Sequence, residues 1–492
     1  MKPTSEPSAA IGASGRRRVL AGAILASSMA FLDGAVLSIA IPALRADLGA
    51  TLAEAQWVSN AYALLLGALI LIGGAAGDVY GVRRIFRLGI VGFVVASLLC
   101  ALAPTAGLLV AARGLQGVAA ALMIPGSLAL IAQTYSREER GGAIGLWAAA
   151  SSAMTILGPV AGGFLLTGFG DWAWRLVFAI NLPLGIAALV LLAGPDRKPA
   201  GARRRLDLPG ALLASVGLGA LAFALTGSGE GAPPLSHMAL FGSAGLAVLA
   251  GFVFWQARSA TPMMPLRLFA IPAFTGANFV TLFVYGALAG VLFFLPMTLI
   301  GGWGASPADV ALVLLPFGGV LTLVSPLSGR WSDLVGPWPL LLAGSVLVAA
   351  VFFGLGSTAP REALWTEVPV FMALLGLGMG LIASPLSTAV MAAVEDGDTG
   401  TASGINNAVS RVAGLLAIAA FGLVATQMFE RALGGLAEQA LFFGLAPEMD
   451  LSAEQETLRR TATNAAFAAV AYGCAALSAL SAVAALVMTL RR

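Results

Sequence analysis

Fourteen long apolar segments, separated by short polar ones, run through the chain and constrain its fold more than any other feature. A helix that crosses a bilayer needs about 20 mostly apolar residues. The runs are continuous, unlike the short alternating strands of a membrane β-barrel. The sequence therefore predicts an all-α polytopic membrane protein with fourteen transmembrane helices. The predicted spans, numbered 1 to 14, are 19–42, 55–76, 86–103, 107–132, 142–167, 174–194, 208–227, 238–256, 273–300, 307–328, 338–356, 366–391, 402–428 and 463–489.

The composition supports this prediction and excludes a water-soluble fold. Hydrophobic residues make up 59% of the chain and charged residues only 10%, whereas soluble domains are about a quarter charged. Arg16, Arg17 and Arg18 precede the first apolar run, as basic residues do in a signal peptide. That run is too long for a signal peptide and many similar runs follow it. We therefore predict a cytoplasmic tail, 1–18, followed by a retained first span.

The distribution of lysine and arginine predicts the orientation, because basic residues favour the cytoplasmic side. An even number of spans puts both termini on one side. If that side is the cytoplasm, cytoplasmic segments hold 19 of the 27 lysines and arginines, outer segments hold six, and Arg113 and Arg411 lie inside spans. The expected location is therefore the cell (inner) membrane, with both termini cytoplasmic.

One pattern, G-x-x-x-D-x-x-G, occurs after span 2 and again after span 10, and both copies are expected in cytoplasmic loops. The aspartate of such a loop can bond a neighbouring helix N-terminus or a basic side chain, and the glycines allow close packing and a tight turn. The residues are Gly74, Asp78 and Gly81, with Arg83 just beyond, and Gly329, Asp333 and Gly336.

The recurrence of this pattern predicts two halves of six spans each, with spans 7 and 8 as an inserted pair. The first half is predicted at 19–194. A linker and the inserted pair occupy 195–270. The second half is predicted at 271–492 and includes a long outer loop, 429–462.

Three further spans carry motifs of polar or small residues. Span 1 holds Asp33, the only acidic residue in the interior of a predicted span, within the stretch 31–42. Span 4 reads Leu-x-x-x-Arg113-x-x-Gln116-Gly-x-Ala-Ala. An arginine at mid-span costs about 2.5–3.5 kcal/mol even on insertion scales, so Arg113 needs a partner. Span 5 contains Gly158, Pro159, Gly162 and Gly163, which let helices approach closely and bend.

Together these motifs resemble the major facilitator superfamily, specifically its 14-spanner branch of drug:proton antiporters, over about residues 19–430. The resemblance implies that the repeated loop motif gates the two halves, although Val79 and Val82 stand where a basic residue is common. It implies that Arg113 assists the transfer of a proton carried by Asp33, and that the span 5 motif accompanies export. The structural alternatives are an ordinary loop, a fixed ion pair between these two residues, and a generic packing face.

A central substrate cavity is expected between the halves. Asn407 and Arg411 are four residues apart and therefore share a helix face. One acid, Asp33, stands against two arginines, so the interior is expected to be net positive, which disfavours dicationic drugs and leaves neutral or anionic aromatic compounds. A purely structural polar contact is the alternative for the cavity residues. The predicted cavity residues are Gln56, Tyr62, Gln116, Asn181, Asn278, Tyr285, Asn407 and Arg411.

The predicted function is a proton-coupled antiporter that exports a small lipophilic organic compound. The sequence has no histidine–cysteine cluster for a metal and no glycine-rich phosphate loop, so we expect no cofactor, with the proton gradient as the energy source. A net charge of +3 gives no reason to expect nucleic acid. The expected partners are the substrate, protons and the lipid bilayer, and a monomer is expected. The alternatives are a proton-coupled symporter and a lipid flippase; a membrane enzyme is not expected, because no catalytic cluster is present.

Overall fold

The structure is a computed structural model that describes residues 13–194, 206–227, 231–434, 441–447 and 450–490. The first part of the linker predicted to begin at 195, and the first twelve residues of the predicted tail, lie outside these ranges. The described helices, labelled α1 to α14, are Ala13–Leu48, Leu52–Tyr80, Val82–Ala101, Ala106–Thr134, Arg137–Phe169, a broken helix of Trp174–Ala179 and Asn181–Leu191, Leu208–Thr226, Leu235–Arg258, Pro272–Met297, Pro307–Val335, Pro337–Thr358, Val368–Ala392, Thr399–Leu433 and Ala453–Leu490.

Within the described residues, fourteen helices are long and apolar enough to cross a membrane, one for each predicted span. The predicted fold class is thereby confirmed. Several helices extend beyond the predicted ends: α14 has 38 residues, which at 1.5 Å per residue exceeds the hydrocarbon thickness of about 30 Å. The extra first turns of α14 are polar, as expected for turns that extend beyond the apolar layer.

The predicted outer loop, 429–462, is shorter than expected because both neighbouring helices continue into it. Helix α13 runs to Leu433 and α14 begins at Ala453. The polar first turns of α14 are held by Glu456, which forms ion pairs with Arg459 and Arg460 at the helical spacings i,i+3 and i,i+4. Mixed charge in this segment therefore indicated a helix extension rather than a loop.

The two copies of the repeated glycine–aspartate motif lie mainly on helices, not in loops as predicted. All but the last residue of each copy belong to α2 or α10. Gly81 (φ 99°) and Gly336 (φ 82°) each form a one-residue link to the next helix. A positive φ is strained for residues other than glycine, so the final glycine of each motif is what permits the direct turn.

The helices pack as a bundle in which α2 lies against α4 and α13, α1 against α5, α10 against α12, and α11 against α14. Helices α7 and α8 pack on each other, and α7 also touches α2 and α13. Only a small part of α8 is buried. The inserted pair therefore lies on the outside of the bundle; the exact domain boundaries stay a prediction.

Because successive spans alternate in direction, the bundle has two distinct ends. The terminal end carries the start of α1 and the Gly81 and Gly336 links. The opposite end carries the end of α1, the start of α2, and the junction between α9 and α10.

Candidate functional site

A buried ion pair links α1 and α4 in the first half of the bundle. Asp33 and Arg113 are each only 1% exposed, and Arg113 Nη1 donates to Asp33 Oδ2 at 2.5 Å. Arg113 Nε also donates to the carbonyl oxygen of Val58 at 2.9 Å, and its guanidinium lies 4.4 Å from the centre of the Tyr62 ring. The partner that the sequence required for a mid-span arginine is therefore a carboxylate, assisted by a carbonyl and an aromatic face.

Gln116 connects this ion pair to two more helices. Its Nε2 donates to Asp33 Oδ1 at 3.0 Å and to Ser97 Oγ at 2.9 Å. Its Oε1 accepts a hydrogen bond from Arg113 at 2.5 Å. Asn181 Nδ2 donates to the same Ser97 hydroxyl at 3.2 Å. Both carboxylate oxygens are thus engaged by donors, and the network joins α1, α3, α4 and α6.

Glycine at position 117 brings α2 close enough to α4 for this geometry. A Cβ at Gly117 would lie 2.5 Å from the carbonyl oxygen of Tyr62, which is closer than real Cβ contacts. The same close approach carries the Val58 carbonyl to Arg113. Small residues on span 4 therefore determine what the arginine can reach.

Of the eight predicted cavity residues, four are buried and already hydrogen-bonded. Gln56 Nε2 donates to the carbonyl oxygen of Ile418 at 2.5 Å and so bridges α2 and α13. Asn278 donates to Phe274 O at 2.9 Å and accepts from Asn406 at 3.2 Å. The four, each no more than 5% exposed, are Gln56, Gln116, Asn181 and Asn278. They hold helices together in this conformation and do not line an open space.

Three other predicted cavity residues are only partly buried: Tyr285 on α9, and Asn407 and Arg411 on α13. Among the described residues, no side-chain hydrogen bond or ion pair engages any of the three. Tyr62, the eighth, is buried beneath Arg113. Tyr285, Asn407 and Arg411 are therefore the predicted cavity residues whose side chains have no hydrogen-bond partner in the described part of the chain.

The glycines of the span 5 motif face two different helices. Gly158 and Gly162 pack against Val36 of α1. A Cβ at Gly163 would lie 2.6 Å from the carbonyl oxygen of Pro307, at the start of α10. One turn further, Thr167 Oγ1 accepts a hydrogen bond from Ala308 N at 3.0 Å. The motif, which also contains Pro159 within α5, thus forms the contact between the two halves at the opposite end.

The aspartates of the repeated motif and the neighbouring arginine differ in their contacts. Asp78 and Asp333 are exposed, and neither forms an ion pair or hydrogen bond with a described residue. Asp78 sits in the last turn of α2, where the helix dipole disfavours an anion. Arg83 instead donates to the carbonyl oxygens of Leu192 and Ala193 at 2.9 and 3.1 Å and so caps α6. Within the part of the chain that the structure describes, neither aspartate of the motif bridges the two halves in this conformation.

The motif predicted that Gly74 allows close packing of α2. In the structure, Gly73 and not Gly74 is the glycine at the close contact. A Cβ at Gly74 would meet only Pro125 Cβ, at an ordinary 3.8 Å. A Cβ at Gly73 would clash with the backbone of Ala121. In the second copy of the motif, the first glycine, Gly329, does pack closely: a Cβ there would lie 2.6 Å from Ser384 Oγ of α12.

The sequence analysis did not identify one buried arginine that connects the two halves. Arg45, at the end of α1, is 1% exposed. Its Nη1 donates to the carbonyl oxygen of Phe443 at 2.6 Å, and its Nε to that of Ala50 at 3.2 Å. Phe443 lies 398 residues away and belongs to the second half. No sequence pattern pairs a side chain with so distant a backbone carbonyl.

The described residues form fourteen helices that are long and apolar enough to cross a membrane. These helices pack as two halves that meet at α2–α13 and α5–α10, with a buried ion pair inside one half, which is the architecture of a polytopic membrane transporter. Residues 23–418 match the family model of the Major Facilitator Superfamily, and the chain belongs to this family. The resemblance predicted from the motifs is confirmed. Membership makes the chain a transporter rather than an enzyme.

Its relatives include several exporters. The chain is 36% identical over 421 residues to the probable actinorhodin transporter of Streptomyces coelicolor, covering 83% of this chain and 72% of the relative. It is 36% identical over 413 residues to a puromycin resistance protein of Streptomyces alboniger, covering 82% and 80%. It is 33% identical over 411 residues to a cephamycin export protein of Amycolatopsis lactamdurans, covering 81% and 82%.

Solved structures share the fold at low sequence identity. A bacterial homologue of the human lysosomal transporter Spinster superposes with a TM-score of 0.69 at 18% identity, covering 96% of this chain and 97% of that one. A D-xylose–proton symporter gives a TM-score of 0.60 at 18% identity, covering 83% and 90%. These similarities establish the fold alone.

Proposed function

We propose that the protein is a proton-coupled antiporter of the cell (inner) membrane that exports a small lipophilic organic compound by alternating access. Relatives named as exporters and resistance proteins support export. The observation that carries the proton coupling is the position of Asp33: it is an acidic residue in the interior of a span, and both of its carboxylate oxygens are bonded inside one half.

Protonation of Asp33 would break the buried network. A carboxylate accepts hydrogen bonds at both oxygens, whereas a carboxylic acid carries a donor on one of them. Arg113 offers only donors, so a protonated Asp33 loses its ion pair and Gln116 must rotate its amide to accept the new proton. Gain or loss of one proton therefore changes how tightly α1 is held to α4.

Helix α1 can transmit this change to the contact between the halves. Arg45 lies twelve residues beyond Asp33 on α1, about 18 Å along a helix, and binds the second half at Phe443. Val36, one turn from Asp33, packs on Gly158 and Gly162. Looser α1–α4 packing would thus reach both contacts at the opposite end.

The described conformation is closed at the opposite end on the α5–α10 side, through Gly163–Pro307 and Thr167–Ala308. With the basic segments of the terminal end in the cytoplasm, this is a state closed toward the outside. Asp78 is exposed in this state and forms no ion pair or hydrogen bond with a described residue. In the alternate state, with the cytoplasmic side closed, Asp78 gains one, as the resemblance implies for this motif.

The coupling is tested with inverted membrane vesicles that are acidic inside. The interior of such a vesicle corresponds to the outside of the cell. The probes are rhodamine 123 and fluorescein, aromatic compounds with similar ring systems and opposite charge. Wild-type protein is expected to accumulate at least one probe, and nigericin, which collapses the pH gradient, is expected to prevent accumulation. Asp33→Asn is expected to abolish gradient-driven accumulation.

A second variant guards against misfolding. Asp33→Asn leaves Arg113 unpaired, whereas Asp33→Asn combined with Arg113→Gln removes both charges and should fold normally. Purified double variant that still releases protons on addition of a probe would overturn the assignment of Asp33. Accumulation in right-side-out vesicles acidic outside would indicate a symporter instead. Transfer of a fluorescent lipid between leaflets, without accumulation of either probe, would indicate a flippase.

A further inference from the structure

Arg411 is a mid-span arginine that forms no side-chain hydrogen bond or ion pair with a described residue. It lies on α13 at the contact with α2, where a Cβ at Gly67 would come within 3.0 Å of the Arg411 Cβ. Its Nε is buried and has no hydrogen-bond partner, and no acidic residue that the structure describes forms an ion pair with it. The other mid-span arginine, Arg113, has a carboxylate, an amide and a carbonyl.

The described helices contain no second carboxylate that could serve Arg411. Asp33 is the only acidic residue in their interiors, and Arg113 and Gln116 occupy both of its oxygens. The remaining acidic residues of these helices lie within their first or last turns. An arginine at this depth is costly unless it is hydrated or paired, and an anionic ligand would provide the pair that the described residues do not.

The surroundings of Arg411 fit a planar organic anion. Tyr62 lies on α2 five residues before Gly67, which contacts Arg411, and Tyr285 lies on α9 beside Gly286, which packs against the Ala413 carbonyl of α13. Asn407, one turn away on the same face of α13, is partly buried and has an unbonded side chain among the described residues. A guanidinium, two phenol rings and an amide together can bind an acidic group and stack against an aromatic ring.

We propose that Arg411 binds the anionic group of the transported compound, so that the substrate class is aromatic compounds bearing a carboxylate or phenolate. This inference rests on the proposed export function and narrows its substrate class. The anionic group of the substrate supplies the counter-charge that the described residues do not provide, and Gly67 allows α2 to lie close against the Arg411 side chain.

The test is equilibrium binding of fluorescein and rhodamine 123 to the purified full chain, measured by fluorescence polarisation. Wild-type protein is expected to bind fluorescein more tightly than rhodamine 123. Arg411→Gln is expected to weaken fluorescein binding about tenfold or more, because hydrogen bonds to charged groups are among the strongest. Arg411→Lys should recover part of the loss, since it keeps the charge without the planar fork. Arg258→Gln, an exposed arginine at the end of α8, is the matched control and should bind as wild type.

The outcomes separate this inference from the proposed function. Equal fluorescein binding by wild type and Arg411→Gln, or a preference of wild type for rhodamine 123, would overturn the anion site while leaving proton-coupled export intact. Arg411-dependent fluorescein binding without gradient-driven accumulation would support the site and reject the coupling. The thermal unfolding temperature of ligand-free Arg411→Gln should equal or exceed that of wild type, because the variant removes an uncompensated charge; a marked decrease would show that Arg411 has a structural partner.

Discussion

Arg113 of α4 donates to the carboxylate of Asp33 in α1 at 2.5 Å, across 80 residues of sequence. Both side chains are 1% exposed, and each is the other's only ion-pair partner among the described residues. Two charges so buried depend on each other, because a single remaining charge would lie uncompensated in an apolar environment. The pair is therefore expected to respond to mutation as one unit.

Asp33→Asn and Arg113→Gln should each lower the free energy of unfolding by about 3 kcal/mol or more, since each leaves one buried charge unpaired. The double variant should lose clearly less than the sum of the two. The measurement is thermal unfolding of the four proteins in detergent, treated as a double-mutant cycle. Strictly additive losses would mean that the two groups do not interact in the folded protein.

Much of the fold was predictable because the signal for each span is local. A run of about 20 apolar residues identifies a membrane helix without reference to the rest of the chain. The pairing of Asp33 with Arg113 was likewise accessible, because few charged residues lie in span interiors. Helix ends were less predictable, since Glu456 and its arginines stabilise turns that the hydropathy pattern assigned to a loop.

The candidate cavity was harder to predict because an asparagine inside a span can either bond two helices together or remain available to a ligand. Asn278 and Asn407 lie in similar sequence surroundings, yet Asn278 is bonded within the α9–α13 contact while Asn407 is not. Arg45 lay unnoticed because its partner is a backbone carbonyl of the other half. Such contacts depend on the assembled bundle and leave no periodic pattern in either segment.

Arg45→Gln should weaken the closed opposite end. The variant loses the charge-assisted hydrogen bond to Phe443 O, a loss of about 2 kcal/mol, while Arg45→Lys keeps the charge and should lose less. The accessibility of a cysteine placed at Ser306, which precedes α10 at the same end of the bundle, should rise in Arg45→Gln when measured with a membrane-impermeant maleimide. Unchanged labelling would indicate that Phe443 is held by its apolar neighbours alone.

Asp207 should make the α7–α8 hairpin sensitive to acid. It is the N-cap residue of α7. Its carboxylate accepts hydrogen bonds from Trp255 Nε1 and Gln256 Nε2, both at 2.7 Å. Burial acts to raise the pKa of Asp207, but these bonds, with those from the backbone N–H groups of Met263 and Gly210, outweigh it and hold the pKa below its ordinary value of 3.8.

Because the folded-state pKa is lowered, the stabilisation by Asp207 is complete above pH 3.8 and is lost as the pH falls through the folded-state pKa. Asp207→Asn should therefore unfold at a lower temperature than wild type at pH 7. The difference should shrink when both are measured at progressively lower pH below 3.8. A difference that stays constant over this range would assign the effect to shape rather than to charge.

Gly163→Val should prevent full closure of the opposite end. A Cβ at this position would lie 2.6 Å from Pro307 O and 2.7 Å from Ala311 Cβ, so α5 and α10 must separate. Overpacking of this kind costs about 1–3 kcal/mol, which corresponds to roughly a 5- to 150-fold shift away from the closed state. The reporter is disulfide formation between Thr167→Cys and Ala308→Cys, whose parent residues are hydrogen-bonded at 3.0 Å. The native Cys100 and Cys474 are buried and should not interfere.

Gly168→Val is the matched control for this substitution. It lies five residues further along α5, and a Cβ there would meet no atom within 4 Å. Cross-linking should therefore proceed at the wild-type rate in Gly168→Val and several-fold more slowly in Gly163→Val, with a parallel loss of gradient-driven transport. Equal cross-linking in both variants would mean that α10 can shift to accept the side chain, and the role of the span 5 motif in closing the opposite end would have to be abandoned.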